Sequence, residues 1–229
     1  GRTRSCDSAV VTAATLRLVE GLVRVQALGP VPVKGLAEPV EVFELVGATA
    51  LRRRLQAAVA RGLSPFVGRQ PEVEALQQAL ARAGAGQGQV VALLGEPGVG
   101  KSRLVWEFSH SHRTHGWLIL ESGSVSYGKA SPYLPVIDLL KAYFKIQDRD
   151  DQREVRERVT GKLLTLDRAL EPTLPVFLAL LDVPVEDSEW QVLEPAQRRQ
   201  RTLAAVKRLL LRESQVQPLL VVFEDLHWI

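Results

Sequence analysis

Gly95-Glu96-Pro97-Gly98-Val99-Gly100-Lys101-Ser102 is the stretch that decides the fold. An apolar, partly β-branched run precedes it, Gln89-Val90-Val91-Ala92-Leu93-Leu94. A helix-favouring segment follows, Arg103-Leu104-Val105-Trp106-Glu107-Phe108. Strand, then G-x-x-x-x-G-K-S, then helix is the setting that identifies a phosphate-binding loop. Small residues let successive backbone N–H groups curl into a nest around phosphate oxygens. The helix that follows aims its positive end and its unpaired N–H groups at the same anion. In this scheme Lys101 reaches the β- and γ-phosphates, the Ser102 hydroxyl is a Mg²⁺ ligand, and Arg103 adds the next N–H of the helix start. The sequence therefore predicts a nucleoside triphosphate site, with ATP and Mg²⁺ as the expected ligands.

A second chemical signal lies far downstream. Leu219-Leu220-Val221-Val222-Phe223 is an apolar strand signal that ends in the paired acids Glu224 and Asp225. Carboxylates at the end of such a strand can hold the water shell of a Mg²⁺ ion and polarise an attacking water. Ser102, Glu224 and Asp225 are thus the expected metal-side residues, with Glu224 and Asp225 as the catalytic acids. Spacing alone leaves open which acid does which task.

Bulk composition narrows the remaining classes. The chain has 229 residues, 46% hydrophobic and 24% charged, which suits a globular core rather than disorder. The 29 basic residues (22 Arg, 7 Lys) face 26 acids, a mild excess and weak support for a nucleic-acid surface. The single Cys6 cannot form an internal disulfide, so a reducing cytoplasm is the expected setting. No run approaches the ~18 apolar residues of a membrane helix. His110, His112 and His115 share no helical face and no cysteine joins them, so they read as a polar helix end. The chain has no Met, and it stops just after its most apolar strand signal; both features suggest an internal piece of a longer protein.

Along the N-terminal stretch the pattern predicts a helix from Ala9 to Glu20 with Thr12 as a possible N-cap, then alternating strands over 22–28 and 40–46. Gly29-Pro30 should break the first strand, and antiparallel pairing at a sheet edge should follow. This is too little to bury a core of its own. Residues 48–62, including Arg52-Arg53-Arg54, read as a linker helix with a solvated basic face. Beyond the phosphate loop the pattern gives a strand at 117–121, a polar loop over 122–133 and a helix over 134–144. The loop suits a ligand cradle and equally an ordinary surface loop. A long helix opens at Pro195, with Leu203, Val206, Leu209 and Leu210 on one face.

Three sets of residues carry resemblances to known families. Residues 11–47, with Leu28, Gly29, Lys34, Gly35, Pro39 and Phe43, resemble the C-terminal end of a class III adenylate/guanylate cyclase catalytic domain. That family's metal-binding aspartates and transition-state residues lie upstream of this tail and are not identifiable in residues 1–8, so the segment reads as scaffold. Phe66, Val67, Gly68, Arg69, Glu72 and Leu76 are similar to the opening of AAA-like and STAND signalling ATPases, in which this segment lies over the adenine. The polar loop wording Ser126-Tyr127-Gly128 and Ser131-Pro132-Tyr133, and Glu224-Asp225-Leu226-His227-Trp228, resemble the same ATPases. There the first acid takes the metal side, which implies Glu224 as metal-side acid and Asp225 as base. The Glu at the first position, where that group usually has Asp, keeps both assignments open.

Together these readings predict an α/β chain, a truncated P-loop NTPase with a three-layer αβα sheet, preceded by a small helix and antiparallel strands. The expected domains are 1–47 (cyclase tail), 48–63 (linker helix) and 64–229 (ATPase). The joint resemblance is to bacterial proteins that fuse a class III cyclase, a STAND-like ATPase and helical repeats. It implies an ATP-dependent signalling switch with slow hydrolysis, or alternatively the regulatory ATPase of a cyclase. Partners would be ATP, the upstream cyclase and the downstream repeats, with self-association allowed and no membrane or nucleic acid required. In that ATPase group another strand lies between the phosphate-loop strand and the acid-bearing strand; its segment would follow Ile229, so the isolated piece is expected to fold poorly.

Overall fold

A computed structural model describes residues 9–225, apart from 20–22, 34, 36–37, 49–54, 56–57, 60–61, 124–132 and 187. The chain divides into two units, Gly1–Arg69 and Gln70–Ile229.

In the first unit, β1 (Val10–Thr12), α1 (Ala13–Leu18), β2 (Val23–Val31) and β3 (Val40–Ala48) build an antiparallel sheet of order β1-β3-β2. The sequence predicts a helix from Ala9; instead Val10-Val11-Thr12 pairs with Glu44-Phe43-Val42 of β3. Two β-branched valines and a threonine suit a pleated ladder better than a first helical turn. Thr12 keeps its expected role as N-cap, its Oγ1 accepting the Thr15 N–H at 3.3 Å. A second correction concerns Gly29-Pro30, which does not end β2. The ladder slips register between Ala27 and Gly29 and continues to Val31. Pro30, which lacks an N–H, is tolerated because β2 is an edge strand. Val10, Leu28, Val31 and Val46 stay exposed, and among the described residues no apolar side chain of this unit is fully buried. The expected linker helix falls largely outside the described residues, the Arg52–Arg54 triplet entirely so.

The second unit opens with α2 (Gln70–Gly84) and α3 (Lys101–Ser109), and a 3-10 turn (His112–Thr114) leads to β4 (Leu118–Gly123). Then come α4 (Leu134–Phe144), α5 (Gln152–Leu166), a 3-10 segment (Arg168–Thr173), α6 (Leu174–Leu180), α7 (Ser188–Gln191), α8 (Pro195–Ser214) and β5 (Leu219–Glu224). β4 and β5 pair in parallel, from Leu118↔Leu219 to Gly123↔Glu224, and the helical run between them is the crossover that parallel pairing requires. Capping boxes start two of these helices: Asp151 with Glu154 on α5, and Glu194 with Gln197 on α8.

The main core lies where these helices meet β4. Leu120 of β4 packs with Leu139, Leu140 and Phe144 of α4, Val159 and Leu163 of α5, Phe177 of α6, and Leu209 of α8. Phe144 meets Phe177 edge to face at 5.9 Å. On α8 the buried positions are Thr202, Ala205, Leu209 and Glu213. Val206 and Leu210 are half-buried, whereas Leu203, expected on the same face, is 55% exposed. It stands at the margin of the apolar arc, where one further rotation step of about 100° takes a side chain into solvent.

The largest departure concerns 89–94. The sequence predicts the strand that leads into the phosphate loop, but among the described residues this segment pairs with no other strand. Val90 is fully exposed and Leu94 is 93% exposed. The described sheet is therefore two-stranded, not the broader three-layer sheet expected. An apolar β-branched run records a preference for burial within a ladder; the ladder forms only where a neighbouring strand is present.

Candidate phosphate-binding site

Between Gly95 and Gly100 the chain turns at Pro97-Gly98 and delivers Gly100 to α3 at φ 92° and ψ 21°, the left-handed region. A side chain there would be strained, so glycine is the residue that fits. The Gly100 carbonyl accepts the Leu104 N–H at 2.9 Å and starts the helix. At the other end of the loop, a Cβ on Gly95 would stand 3.1 Å from Val99 Cγ2. Glycine thus lets the two sides of the loop approach. The first N–H groups of a helix have no intrahelical acceptor and lie at the positive end of its dipole, and in α3 that end begins at Lys101, directly after the loop.

Lys101 Nζ donates to the Gly95 carbonyl at 2.8 Å and to the Glu96 carbonyl at 2.9 Å. An ammonium has three donors, so one stays available while the other two hold the side chain across the loop. Ser102 Oγ makes no hydrogen bond among the described residues. The Arg103 guanidinium pairs with Glu107 at 2.8 Å and lies 5.9 Å over the Trp106 ring; Trp106 in turn stacks on His110 at 4.7 Å. Arg103 therefore offers the loop its backbone N–H while its side chain braces α3. Leu104 and Phe108 anchor the opposite face of that helix. A glycine-turned cradle, an oriented ammonium and a free hydroxyl fit the polyphosphate of a nucleotide.

Glu224 closes β5 opposite Gly123, and Asp225 follows at φ 57°, exposed, in a region that Asp tolerates better than most residues. Both acids sit at the carboxyl end of β5, the side of an open α/β sheet where ligands bind. Among the described residues, no hydrogen bond or ion pair joins either acid to Lys101 or Ser102. Phe66, Val67, Gly68 and Arg69 belong to the first unit; Val67 is 79% exposed and Gly68 has φ 75°. Most of the polar loop over 122–133, and Leu226 to Trp228, lie outside the described residues. No cluster of three or more metal-ligating side chains occurs among the described residues.

Two polar constellations escape the sequence reading. The Tyr143 hydroxyl donates to Glu213 Oε2, and Gln217 Nε2 donates to Glu213 Oε1 at 2.7 Å. Glu213 is 1% exposed, so these partners compensate a buried carboxylate. Burial first, then the hydrogen bond to Glu213 and that residue's charge, push the Tyr143 phenol far above its ordinary value. A readable signal exists, because Ala205, Leu209 and Glu213 repeat every fourth position and place an acid on the buried stripe. The second constellation is Asp167, which caps the 3-10 segment through the Ala169 N–H at 2.9 Å and receives Arg212 Nε at 2.8 Å. The Ala169 N–H, and then Arg212, hold the Asp167 carboxyl below its usual range.

A glycine-cradled loop with its lysine, opening a helix in a mixed α/β unit, defines a nucleotide-binding module of the P-loop class. More narrowly, residues 65–229 match the AAA ATPase domain family, and the chain belongs to it. The chain is also 28% identical over 203 residues to an uncharacterized protein of Rhizobium meliloti (strain 1021). That similarity covers 88% of this chain, which spans only 19% of the relative's length. No solved structure matches the chain significantly. No helix among the described residues is long and apolar enough to cross a membrane.

Proposed function

We propose that this chain is the ATP-binding part of a multidomain signalling protein, a nucleotide-dependent switch with slow hydrolysis. The observation that carries the reading is the Lys101 ammonium, held by two loop carbonyls beside the start of α3 with one donor to spare. In the proposed complex, loop N–H groups and Lys101 bind the β- and γ-phosphates, and the Ser102 hydroxyl faces the metal side. Bound Mg²⁺ would supply charge neutralisation across the phosphates. Glu224 is the proposed metal-side acid and Asp225 the proposed base for water. Phe66–Arg69 is the proposed adenine cover, which rests on the family resemblance.

The same reading makes residues 1–47 the tail of a cyclase-like domain, 48–63 a linker and 64–229 the ATPase. The short helix and antiparallel strands of the first unit support it. The Rhizobium similarity, whose 203 residues are more than the second unit alone contains, extends into the first unit. Regulation of an upstream cyclase by this ATPase is the alternative use of the same switch, in a cytoplasmic protein.

Single-turnover hydrolysis of γ-labelled ATP tests the acids. Glu224→Gln and Asp225→Asn should each slow hydrolysis by about 10²-fold or more, while Asp225→Asn keeps Mg²⁺-dependent ATP affinity. Hydrolysis unchanged in both variants would remove the acids from the mechanism.

A further inference from the structure

β5 carries Glu224 at its end and Asp225 directly after it, so where the two acids stand depends on the register of β5 against β4. The apolar pattern of β5 does little to choose that register. Leu219, Leu220, Val221 and Val222 are all half-buried, so neither face of the strand is marked for the core. A shift of two residues would keep every side chain on its face and merely exchange leucine for valine. It would also move the end of the strand by about 7 Å.

A polar lock sits just ahead of the strand. Glu213, 1% exposed in the last turn of α8, accepts the Tyr143 hydroxyl of α4 with one carboxylate oxygen. Its other oxygen accepts Gln217 Nε2 at 2.7 Å, and its backbone carbonyl accepts the Val216 and Gln217 N–H groups at 2.9 and 3.0 Å. Gln217 adjoins Pro218, whose carbonyl takes the Leu118 N–H at 2.8 Å and begins the pairing with β4. The lock therefore runs from α4 through Glu213 to the residue before the first ladder bond. We propose that Glu213 is a positioning residue: it fixes the register of β5 on β4 and so brings Glu224, rather than a neighbour, opposite Gly123. Apolar residues of similar volume can replace a buried polar group at little loss of stability, whereas specifying a register is a role such groups perform well. The catalytic consequence rests on the roles proposed above for Glu224 and Asp225; the register itself does not.

The test reads register and chemistry separately, by inter-strand amide contacts in NMR spectra of the isotope-labelled chain and by single-turnover ATP hydrolysis. The native protein should show one set of contacts, from Leu118–Leu219 to Gly123–Glu224. The double variant Tyr143→Phe/Glu213→Leu keeps the volume and removes the lock. It should retain cooperative unfolding, gain a second set of contacts displaced along β5, and hydrolyse ATP at least tenfold more slowly. Gln217→Leu, at a half-buried position, cuts only the link to β5 and should show the same displaced set even if the double variant does not fold. Glu213→Gln, whose amide can still pair with both partners, should restore native contacts and rate. Native contacts alone in Gln217→Leu or in the folded double variant would overturn the proposal, and so would displaced contacts in Glu213→Gln. Displaced contacts with an unchanged rate would confirm the lock and overturn the roles given to the two acids.

Discussion

The Lys101 ammonium lies 2.8 Å from the Gly95 carbonyl oxygen, so the first residue of α3 is tied to the first residue of the loop. A second bond, 2.9 Å to the Glu96 carbonyl, fixes the side chain from the same direction. The long lysine side chain, which otherwise carries about 2 kcal/mol of rotamer entropy, is thereby placed before any ligand arrives. Preorganisation of this kind reduces the ordering cost of binding.

Gly100 is required for its backbone rather than for space, because nothing lies within 4 Å of where a Cβ would stand. Gly100→Ala should therefore lower stability by about 1–2 kcal/mol, the usual cost of a left-handed L-residue, and weaken nucleotide binding. Gly88→Ala, with an equally open site but no positive φ, is the matched control and should change little. Urea unfolding of both variants, read beside nucleotide titrations, checks the pair.

Tyr143→Phe removes a donor from the buried Glu213 carboxylate and leaves Gln217 as its remaining partner. Hydrogen bonds to charged groups of this kind contribute about 1.5–3 kcal/mol, so the variant should lose that much stability at pH 7. The native phenol is pushed up, by burial first, so the folded state keeps a proton that the unfolded chain releases above about pH 10. The tyrosine's contribution is thus fully present below that pH and declines above it. Urea midpoints for the two proteins should accordingly converge as pH rises past about 10.

Leu209 and Leu203 lie on one helix but should respond differently. Leu209 is fully buried in the core beside Phe177, and Leu209→Ala should cost about 2–5 kcal/mol through lost transfer energy and a cavity. Leu203→Ala, at an exposed position, should stay within about 0.5 kcal/mol. Equal losses in thermal unfolding would place Leu203 inside the core after all.

The phosphate loop was legible because its chemistry depends on local spacing: glycine turn, lysine and helix start all lie within eight residues. The long helix at Pro195 and the strand ending at Glu224 were legible for a similar reason, since proline, capping pair and apolar period are local signals. Residues 89–94 were not, because a strand exists by virtue of its neighbour and the sequence shows only the preference. Thr12 gave the cap of α1 correctly, yet the three residues that end in it joined β3, a competition settled by a partner strand far along the chain, from Val10↔Glu44 to Thr12↔Val42. The bond between Tyr143 and Glu213 spans 70 positions, which no short-range pattern encodes. Leu203 shows the margin of error of a helical arc, where one position decides between core and solvent.

Isothermal titration of Mg²⁺–ATP into the native protein and into Lys101→Ala tests the central claim most directly. The loop geometry predicts saturable one-site binding to the native protein and a loss of at least about 100-fold in the variant, equivalent to about 2.7 kcal/mol. Equal affinity in the two proteins would contradict it.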